Sequence, residues 1–173
     1  VYMGTTSRGI PVRVCREVAE ADLRITVSGI IQHGGAGYGG GAKLILPGVC
    51  SMETIAHHHG MTYPPRQLAQ VENEFRYALE EVARFAKLDV IVNTVMNGRL
   101  ETVGLFVGDM VEAHRAGCKL ADEVYFIKGA PSGVDAAIIS GYPMDREFYQ
   151  SVKALDPNAG MKTVREDGTI LFM

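Results

Sequence analysis

The sequence predicts an α/β protein in which mixed or parallel sheets are flanked by helices, with parts of two α/β domains in 173 residues. Short β-branched apolar runs alternate with longer amphipathic segments, which is typical of strands alternating with helices. The pair Asn97-Gly98 separates two such runs and predicts a hairpin. The Gly-, Pro- and Ser-containing stretch 129–133 predicts a domain boundary. We therefore assign 1–128 to a first domain and 129–173 to the start of a second.

Composition restricts the function classes. Apolar residues make up 47% of the chain, which is enough for a buried core, and a net charge of −3 gives no reason to expect a nucleic-acid partner. No apolar run has the length needed to span a membrane. Three cysteines fit a reducing, cytoplasmic environment better than a disulfide framework. The first residue is not Met and the last run is apolar, so we expect a piece of a longer protein.

The first third of the chain is predicted to alternate between strand and helix. We expect a strand over 11–15, a short helix over 16–22 and a buried parallel strand over 23–31, because the last run is β-branched and apolar. After a glycine-rich loop, a helix is predicted over 51–59 with Ser51 as its N-cap.

The middle of the chain contains the strongest periodicity. Apolar residues at helical spacing predict a helix over 64–87, and its charged residues, Arg76 among them, are interpreted as a solvated face. Strands are predicted over 88–97 and 100–108, followed by a helix over 109–123 that Asp109 would cap.

The last part of the chain is predicted to return to alternating elements. Apolar runs indicate strands over 124–128 and 134–140 and a terminal strand over 168–173. A helix is predicted over 145–155 between the last two strands.

The glycine-rich stretch between residues 28 and 50 admits three interpretations. A phosphate-binding P-loop fails because Lys43 lies between Ala42 and Leu44, without the Ser or Thr that would hold magnesium. A dinucleotide-binding loop, as in an NAD-type oxidoreductase, fits Gly37-x-Gly39-x-x-Ala42 but lacks the acidic residue after the next strand. Alternatively, residues before, within and after the loop converge on one bound group; a solvated Lys and a surface His cluster are the plain alternative.

Four stretches together carry a family resemblance along nearly the whole chain. They are "GTTSRGIPVRV", "HGGAGYGGGAKLILPGV", "HRAG" and "GYPMDREFYQSVKAL". These motifs resemble the nickel-dependent lactate racemase family, and the chain would lack the N-terminal region of that family. Residues 1–128 would then be the C-terminal part of the cofactor-binding, catalytic domain, and 129–173 the start of a second α/β domain. The resemblance implies a lysine-tethered nickel-pincer nucleotide (pyridinium-3,5-bisthiocarboxylic acid mononucleotide with nickel) as the cofactor.

The same resemblance assigns roles to individual residues. It makes Lys43 the covalent attachment point, His33 a catalytic acid/base and His59 a nickel ligand. The glycines beside Lys43 would approach the cofactor with their backbone; they are Gly39, Gly40 and Gly41. Substrate contacts fall in the last motif, at Tyr149, Gln150 and Lys153.

The activity that the resemblance implies is racemisation or epimerisation of a small 2-hydroxy acid by reversible hydride transfer. This chain supplies one base, and the family's second base and a carboxylate-binding Arg lie in the missing N-terminal region, so we expect the fragment alone to be inactive. His114 is interpreted as structural. The family's bulky aromatics after the base His are replaced by Gly34-Gly35, and its Arg before the anchoring Lys by Ala42. The first change predicts a wider pocket and a substrate larger than lactate. A cofactor-free sugar-acid-binding module is the non-enzyme alternative.

Overall fold

The computed structural model describes residues 1–64, 68–126, 129, 131–142, 145–155 and 163–173, without the side chain of Tyr149. The chain divides into two compact units, Val1–Phe126 and Ile127–Met173. Strands and helices alternate in both, so the predicted α/β class is confirmed. The unit boundary lies two residues before the predicted one, and the roles assigned to the two domains stay predictions.

The first unit is built around a three-stranded sheet. Strand β3 (Ile25–Gly29) pairs in parallel with β6 (Val90–Met96), and β6 pairs antiparallel with β7 (Thr102–Gly108). The predicted hairpin at Asn97-Gly98 is therefore confirmed. A second hairpin joins β1 (Tyr2–Thr5) to β2 (Pro11–Arg13), and only its second strand was predicted.

The run 23–31 was predicted to form a buried parallel strand, and the prediction of burial is wrong. Strand β3 is parallel to its neighbour, but Ile25 is 52% exposed and Val27 is 71% exposed. Helix α4 (Glu112–Tyr125) packs against β6 and β7 on one face of the sheet. The opposite face carries exposed apolar side chains on both outer strands, so apolar composition did not imply burial on both faces.

Two helices flank the glycine-rich loop and the sheet. Helix α1 (Arg16–Glu20) is short, whereas α2 (Met52–Gly60) begins as predicted, with the Thr54 N–H donating to Ser51 Oγ at 3.3 Å. The latter contact caps the helix and satisfies one of the backbone donors that a helix start leaves unpaired.

Helix α3 spans Glu74–Phe85 and is much shorter than the predicted 64–87. The helix begins after Asn73, which is its N-cap: Asn73 Oδ1 accepts from the Arg76 N–H at 2.8 Å. The residues just before Asn73 form turns, and residues 65–67 lie outside the described part of the chain.

Helix α4 differs from its prediction at both ends. Asp109 does cap it, because Asp109 Oδ1 accepts from the N–H groups of Val111 and Glu112 at 2.7 and 3.0 Å, but the helix proper starts at Glu112. Its last turn continues to Tyr125, so the strand predicted over 124–128 is wrong for its first residues; 127 and 128 are outside the described residues.

The second unit, taken by itself, is a pair of parallel strands with one helical segment. Strand β8 (Val134–Ile139) pairs with β9 (Val164–Phe172), which starts earlier than the predicted 168–173. The helix predicted over 145–155 is a short helix α5 (Phe148–Ser151) followed by the 3₁₀ turn Val152–Leu155. In both units, none of the described helices is long and apolar enough to cross a membrane.

Candidate active site

The glycine-rich stretch is ordered by a small hairpin and a turn. Strands β4 (Gln32–His33) and β5 (Gly37–Tyr38) pair antiparallel, and the 3₁₀ turn Gly41–Leu44, here called the Lys43 turn, follows. Gly37 has a φ of +72°, and a Cβ there would lie 2.4 Å from the carbonyl oxygen of Gln70. Only glycine fits this contact, so the hairpin is fixed against the segment that precedes α3.

Lys43 lies on a backbone held on both sides. Its N–H donates to the Gly40 carbonyl at 3.2 Å, and its neighbour Ala42 is 1% exposed in the hydrophobic core. The Lys43 turn packs against α3. Where the family often has Arg, this chain therefore has a small residue that anchors the turn in the core.

The three glycines before Lys43 face protein atoms. A Cβ at Gly39 would lie 3.4 Å from Ile31 Cγ1, and one at Gly40 would lie 3.1 Å from the Gly29 carbonyl oxygen. A Cβ at Gly41 would lie 3.0 Å from His114 Cδ2, and both Gly40 and Gly41 have positive φ. Internal packing and backbone geometry thus account for Gly40 and Gly41, and contact of the three glycines with a cofactor stays a prediction.

His33 is held by its own loop. Its Nδ1 accepts from the N–H groups of Gly35 and Ala36 at 3.1 and 3.0 Å. A neutral imidazole has one donor and one acceptor nitrogen, so this arrangement assigns the proton to Nε2. The neutral ring therefore presents an N–H group at Nε2. To take up a proton, the His33 ring must first leave the Gly35 and Ala36 N–H groups.

His59 shows the opposite arrangement. It is exposed near the end of α2, and its Nδ1 lies 3.0 Å from the Ile55 carbonyl oxygen one turn earlier. That carbonyl can only accept, so the proton lies on Nδ1 and the Nε2 lone pair can bind a metal. Histidine ligands in proteins commonly donate their second N–H in this way. His57 makes the same kind of contact with the Glu53 carbonyl at 2.8 Å, so tautomer alone does not select between them.

The ring of Phe75, in the first turn of α3, contacts His59 and lies beside the loop that carries His33. The Phe75 and His59 ring centroids are 5.4 Å apart. In the loop that follows His33, a Cβ at Gly35 would lie 3.4 Å from Phe75 Cε1 and 3.6 Å from His33 Cε1. Phe75 was predicted only as an apolar helix residue. Its ring fills the space beside Gly35 that the sequence suggested was open, which weakens the expectation of a wider pocket.

His58 supports this arrangement from the interior. It is fully buried, with its ring centroid 4.2 Å from that of Phe75 and 5.0 Å from that of His59. Its Nε2 lies 3.1 Å from the Phe75 carbonyl oxygen. Of the three adjacent histidines, His58 is thus a packing residue, whereas His57 and His59 are exposed.

Beneath the loop lies a buried polar group that the sequence analysis missed. Arg76, predicted on a solvated face, is 0% exposed, and so is His114. Arg76 Nη2 donates to the Tyr38 carbonyl at 3.1 Å, and His114 Nε2 lies 2.7 Å from the Gly39 carbonyl oxygen. Burial, and then the Arg76 charge, lower the pKa of His114 to about 3. His114 is therefore a neutral structural residue, as predicted.

The comparisons with known proteins agree with the motifs. Residues 1–70 match the lactate racemase N-terminal domain family. The whole chain is 32% identical over 177 residues to a lactate racemase of Lactiplantibacillus plantarum and spans 41% of that protein. The resemblance inferred from the sequence is confirmed.

Further relatives of this family extend the match. A lactate racemase of Thermoanaerobacterium thermosaccharolyticum is 30% identical over 174 residues, covering 98% of this chain and 40% of that protein. The structure of the lactate racemase apoprotein from the same organism superposes with a TM-score of 0.83 at 29% identity, over 99% of this chain and 42% of the other. A Thermotoga maritima protein, at 22% identity and a TM-score of 0.63, shares the fold over 82% of this chain and 40% of its own. The chain thus spans about two fifths of the lactate racemases that it matches.

The structure contradicts the dinucleotide-binding alternative. That fingerprint requires the glycines to connect a strand to an α-helix whose N-terminus faces the pyrophosphate. Here the glycines connect the two-residue strand β5 to a 3₁₀ turn of four residues. The lactate racemase resemblance therefore accounts for the loop better than an NAD site.

The predicted substrate residues lie in the second unit. Lys153 Nζ donates to Gln150 Oε1, so the two polar side chains are neighbours across α5 and the turn after it. The Gln150 N–H also donates to Glu147 Oε2 at 2.7 Å. Tyr149 belongs to α5, but its side chain is outside the described residues. Contact of these residues with a lactate racemase substrate stays a prediction.

We expect the stability of the protein to fall as the pH is lowered from 6.5 to 4.5. His114 stays neutral when folded because its pKa is about 3, whereas the unfolded chain binds a proton below the ordinary value of 6.5. The unfolded state then holds more protons, and the free energy of unfolding decreases by up to about 1.4 kcal/mol per pH unit. Urea denaturation at several pH values measures this slope.

The control for this slope is His114→Gln, which removes the titrating group. Two carboxyl groups with lowered pKa values, Glu72 beside Arg115 and Asp109 at the cap of α4, lose their stabilisation only below their ordinary values of 4.5 and 3.8. An equal slope in wild type and His114→Gln between pH 6.5 and 4.5 would show that His114 is not its source.

Proposed function

We propose that this chain is the cofactor-binding part of an enzyme that racemises or epimerises a small 2-hydroxy acid, with Lys43 as the attachment point of a nickel-pincer nucleotide. The observation that supports it best is the neighbourhood around α3. The Phe75 ring contacts His59 and lies beside Gly35 in the loop of His33, and the Lys43 turn packs on the helix that carries Phe75. The lactate racemase relatives suggest the reaction class.

The residues present fit such a group. The described part of the chain has no cluster of three or more His, Cys, Asp or Glu side chains that could hold a metal. A cofactor that brings its own donors needs only one further ligand, and His59 Nε2 has the tautomer for that role. Lys43 has a primary amine on a rigid turn, which is the group that a covalent tether requires. When bound, the cofactor would accept and return the hydride of the substrate's carbinol carbon.

His33 would move the proton that accompanies this reaction. In the described geometry the neutral ring carries its proton on Nε2, because Nδ1 accepts from the Gly35 and Ala36 N–H groups. Once the ring leaves these two N–H groups, its unprotonated nitrogen would take the proton of the substrate hydroxyl, and the imidazolium so formed would return that proton to the oxygen of the planar 2-keto acid. Imidazole suits both steps because its ordinary pKa is close to neutral pH.

Two proton acceptors, one for each enantiomer, are the simplest way to invert the stereocentre, and His33 would supply one. The relatives are more than twice as long as this chain, so a second acceptor and further carboxylate-binding residues would come from the rest of such a protein. Gln150 and Lys153 would bind the substrate's carboxylate and hydroxyl groups. The 173 residues alone would then be inactive.

The test is a racemisation assay on protein expressed from the complete coding sequence together with the cofactor-making enzymes and nickel. D- and L-2-hydroxy acids are followed by chiral chromatography. Lys43→Arg keeps the positive charge but removes the nucleophilic amine, so we expect no racemisation. Lys119→Arg, at an exposed position of α4, is the matched control and should keep full activity.

Two results would count against the proposal. Racemisation by Lys43→Arg at the wild-type rate would exclude Lys43 as the attachment point. Binding of a 2-hydroxy acid or sugar acid without any racemisation by the loaded wild type would favour the cofactor-free binding module instead.

A further inference from the structure

We propose that Arg76, Asn93 and His114, together called the loop clamp, are positioning residues that hold the backbone of residues 38–41 and so place Lys43. The consequence for catalysis rests on the proposed function, whereas the clamp itself rests on hydrogen bonds in the described structure. The three residues come from three elements, α3, β6 and α4, and each is 0% exposed.

Each clamp residue contacts a different backbone group of the loop. Arg76 Nη2 donates to the Tyr38 carbonyl at 3.1 Å, and His114 Nε2 donates to the Gly39 carbonyl at 2.7 Å. The Gly41 N–H donates to Asn93 Oδ1 at 3.1 Å. The backbone is therefore fixed from the interior at three points, two immediately before the Lys43 turn and one at its first residue, Gly41.

The clamp residues are themselves held in place. Arg76 Nη2 lies against the His114 ring, 2.5 Å from Nε2 and 3.2 Å from Nδ1, and Arg76 Nε lies 3.6 Å from the buried Glu80 carboxylate. Asn93 Nδ2 donates to Ser28 Oγ at 2.6 Å on the neighbouring strand. Because every partner belongs to a helix or strand, the clamp couples the loop to the rigid part of the unit.

The loop clamp includes a group whose burial is unfavourable for the free energy of folding, so stability alone does not explain it. Neither Nε nor Nη1 of Arg76 has a hydrogen-bond partner among the described residues, although both atoms are buried. Burying these unpaired N–H groups costs free energy that the other hydrogen bonds of Arg76 have to offset. What the arrangement provides instead is a defined position for the Tyr38 and Gly39 carbonyls.

The packing leaves little room for the loop to shift. A Cβ at Gly41 would meet the His114 ring at 3.0 Å, and one at Gly40 would meet the Asn93 amide at 3.3 Å. The clamp side chains thus lie directly against the glycine backbone. The glycines allow the clamp to approach, and the clamp fixes the turn of Lys43. Reacting groups that are misplaced by about 1 Å lose much of their rate, which makes such a fixed turn useful.

Hydrogen-exchange mass spectrometry on the protein from its complete coding sequence, without added cofactor, tests the clamp. His114→Phe keeps a planar ring but cannot donate to Gly39. We expect the amides of Gly39, Gly41 and Lys43 to exchange at least about tenfold faster, the factor that corresponds to one lost hydrogen bond in a local opening. His114→Gln, which retains an N–H donor, should restore most of the protection.

Cys118→Ala is the matched control, because Cys118 is buried one turn further along α4 with its Sγ 3.5 Å from His114 Nδ1. It should lower overall stability without selective exchange in the loop. If His114→Phe does not fold, Asn93→Ser serves instead, since its hydroxyl is too short to reach the Gly41 N–H. Unchanged loop exchange in the clamp variants, or equal acceleration in Cys118→Ala, would overturn the proposal.

The second readout is the fraction of Lys43 that becomes modified when the cofactor-making enzymes are co-expressed. We expect His114→Phe to reduce it several-fold and His114→Gln to restore it. If the wild type shows no modification while the loop exchange still responds to the clamp, the proposed function fails and the clamp stands. If the modification is normal in all variants and the loop exchange is unchanged, the clamp fails and the proposed function stands.

Discussion

We expect His33→Ala and His59→Ala to inactivate the loaded enzyme in different ways. Removing His33 should lower turnover by about two to four orders of magnitude, as expected for a general acid/base, while the bound nickel stays at the wild-type level. Removing His59 should release the nickel. Its Nδ1–H donates to the Ile55 carbonyl, which leaves the lone pair of Nε2 for a metal. Metal analysis by mass spectrometry and kcat on the same preparations separate the two effects.

His57→Ala is the control for this pair. His57 lies on the same helix and makes the same type of Nδ1 contact, but the ring contacts with Phe75 are made by His58 and His59. It should keep both nickel and turnover. Equal nickel loss in His33→Ala and His59→Ala would mean that ligand and base have been assigned wrongly, and nickel loss in His57→Ala would move the ligand to that residue.

The second large effect is expected for Arg76→Met, in stability. The change leaves the Tyr38 carbonyl without its buried donor, and such a stranded group costs roughly 1–3 kcal/mol. His114 Nδ1 keeps Arg115 Nη1 and Cys118 Sγ at 3.5 Å, and Glu80 keeps Arg115 as a partner at 2.6 Å. We therefore expect the free energy of unfolding to fall by about 2 kcal/mol, measured by urea denaturation.

Arg84→Met is the matched control for this measurement. Arg84 lies two turns further along α3 on its exposed side, so its loss should change stability by less than about 0.5 kcal/mol. A wild-type stability in Arg76→Met would show that a well-packed apolar side chain replaces the buried guanidinium without loss, as happens for some buried ion pairs. The buried hydrogen bonds of Arg76 would then contribute nothing net to the stability of the fold.

The parts of the fold that the sequence predicted correctly depend on local signals. Ser51 caps α2 and Asn97-Gly98 turns the hairpin, because capping and turn geometry are decided by a few neighbouring residues. The errors occur where two local signals compete. Before α3 the apolar spacing continued the helical pattern, but the side chain of Asn73 caps the helix there, so the helix begins only after it. At the end of α4 the apolar residues 124 and 125 extend the helix instead of starting a strand.

The candidate site divides in the same way. His33, Lys43 and His59 were assigned from the family motifs, which lie close together along the chain, and their roles stay predictions. Phe75 and the loop clamp were missed because their partners are distant in sequence and appear only when α3, β6 and α4 pack beneath the loop. Arg76 was the clearest failure: a helical charge pattern cannot distinguish a solvated arginine from one that is 0% exposed.

The most direct test of the proposed cofactor attachment is the mass of the Lys43 side chain. Protein expressed from its complete coding sequence with nickel and the cofactor-making enzymes is digested, and the peptides are mapped by mass spectrometry. We predict a covalent addition on the peptide that contains Lys43, and none on the peptides that contain the exposed Lys87 and Lys119. An unmodified Lys43 in a preparation that racemises a 2-hydroxy acid would contradict the attachment.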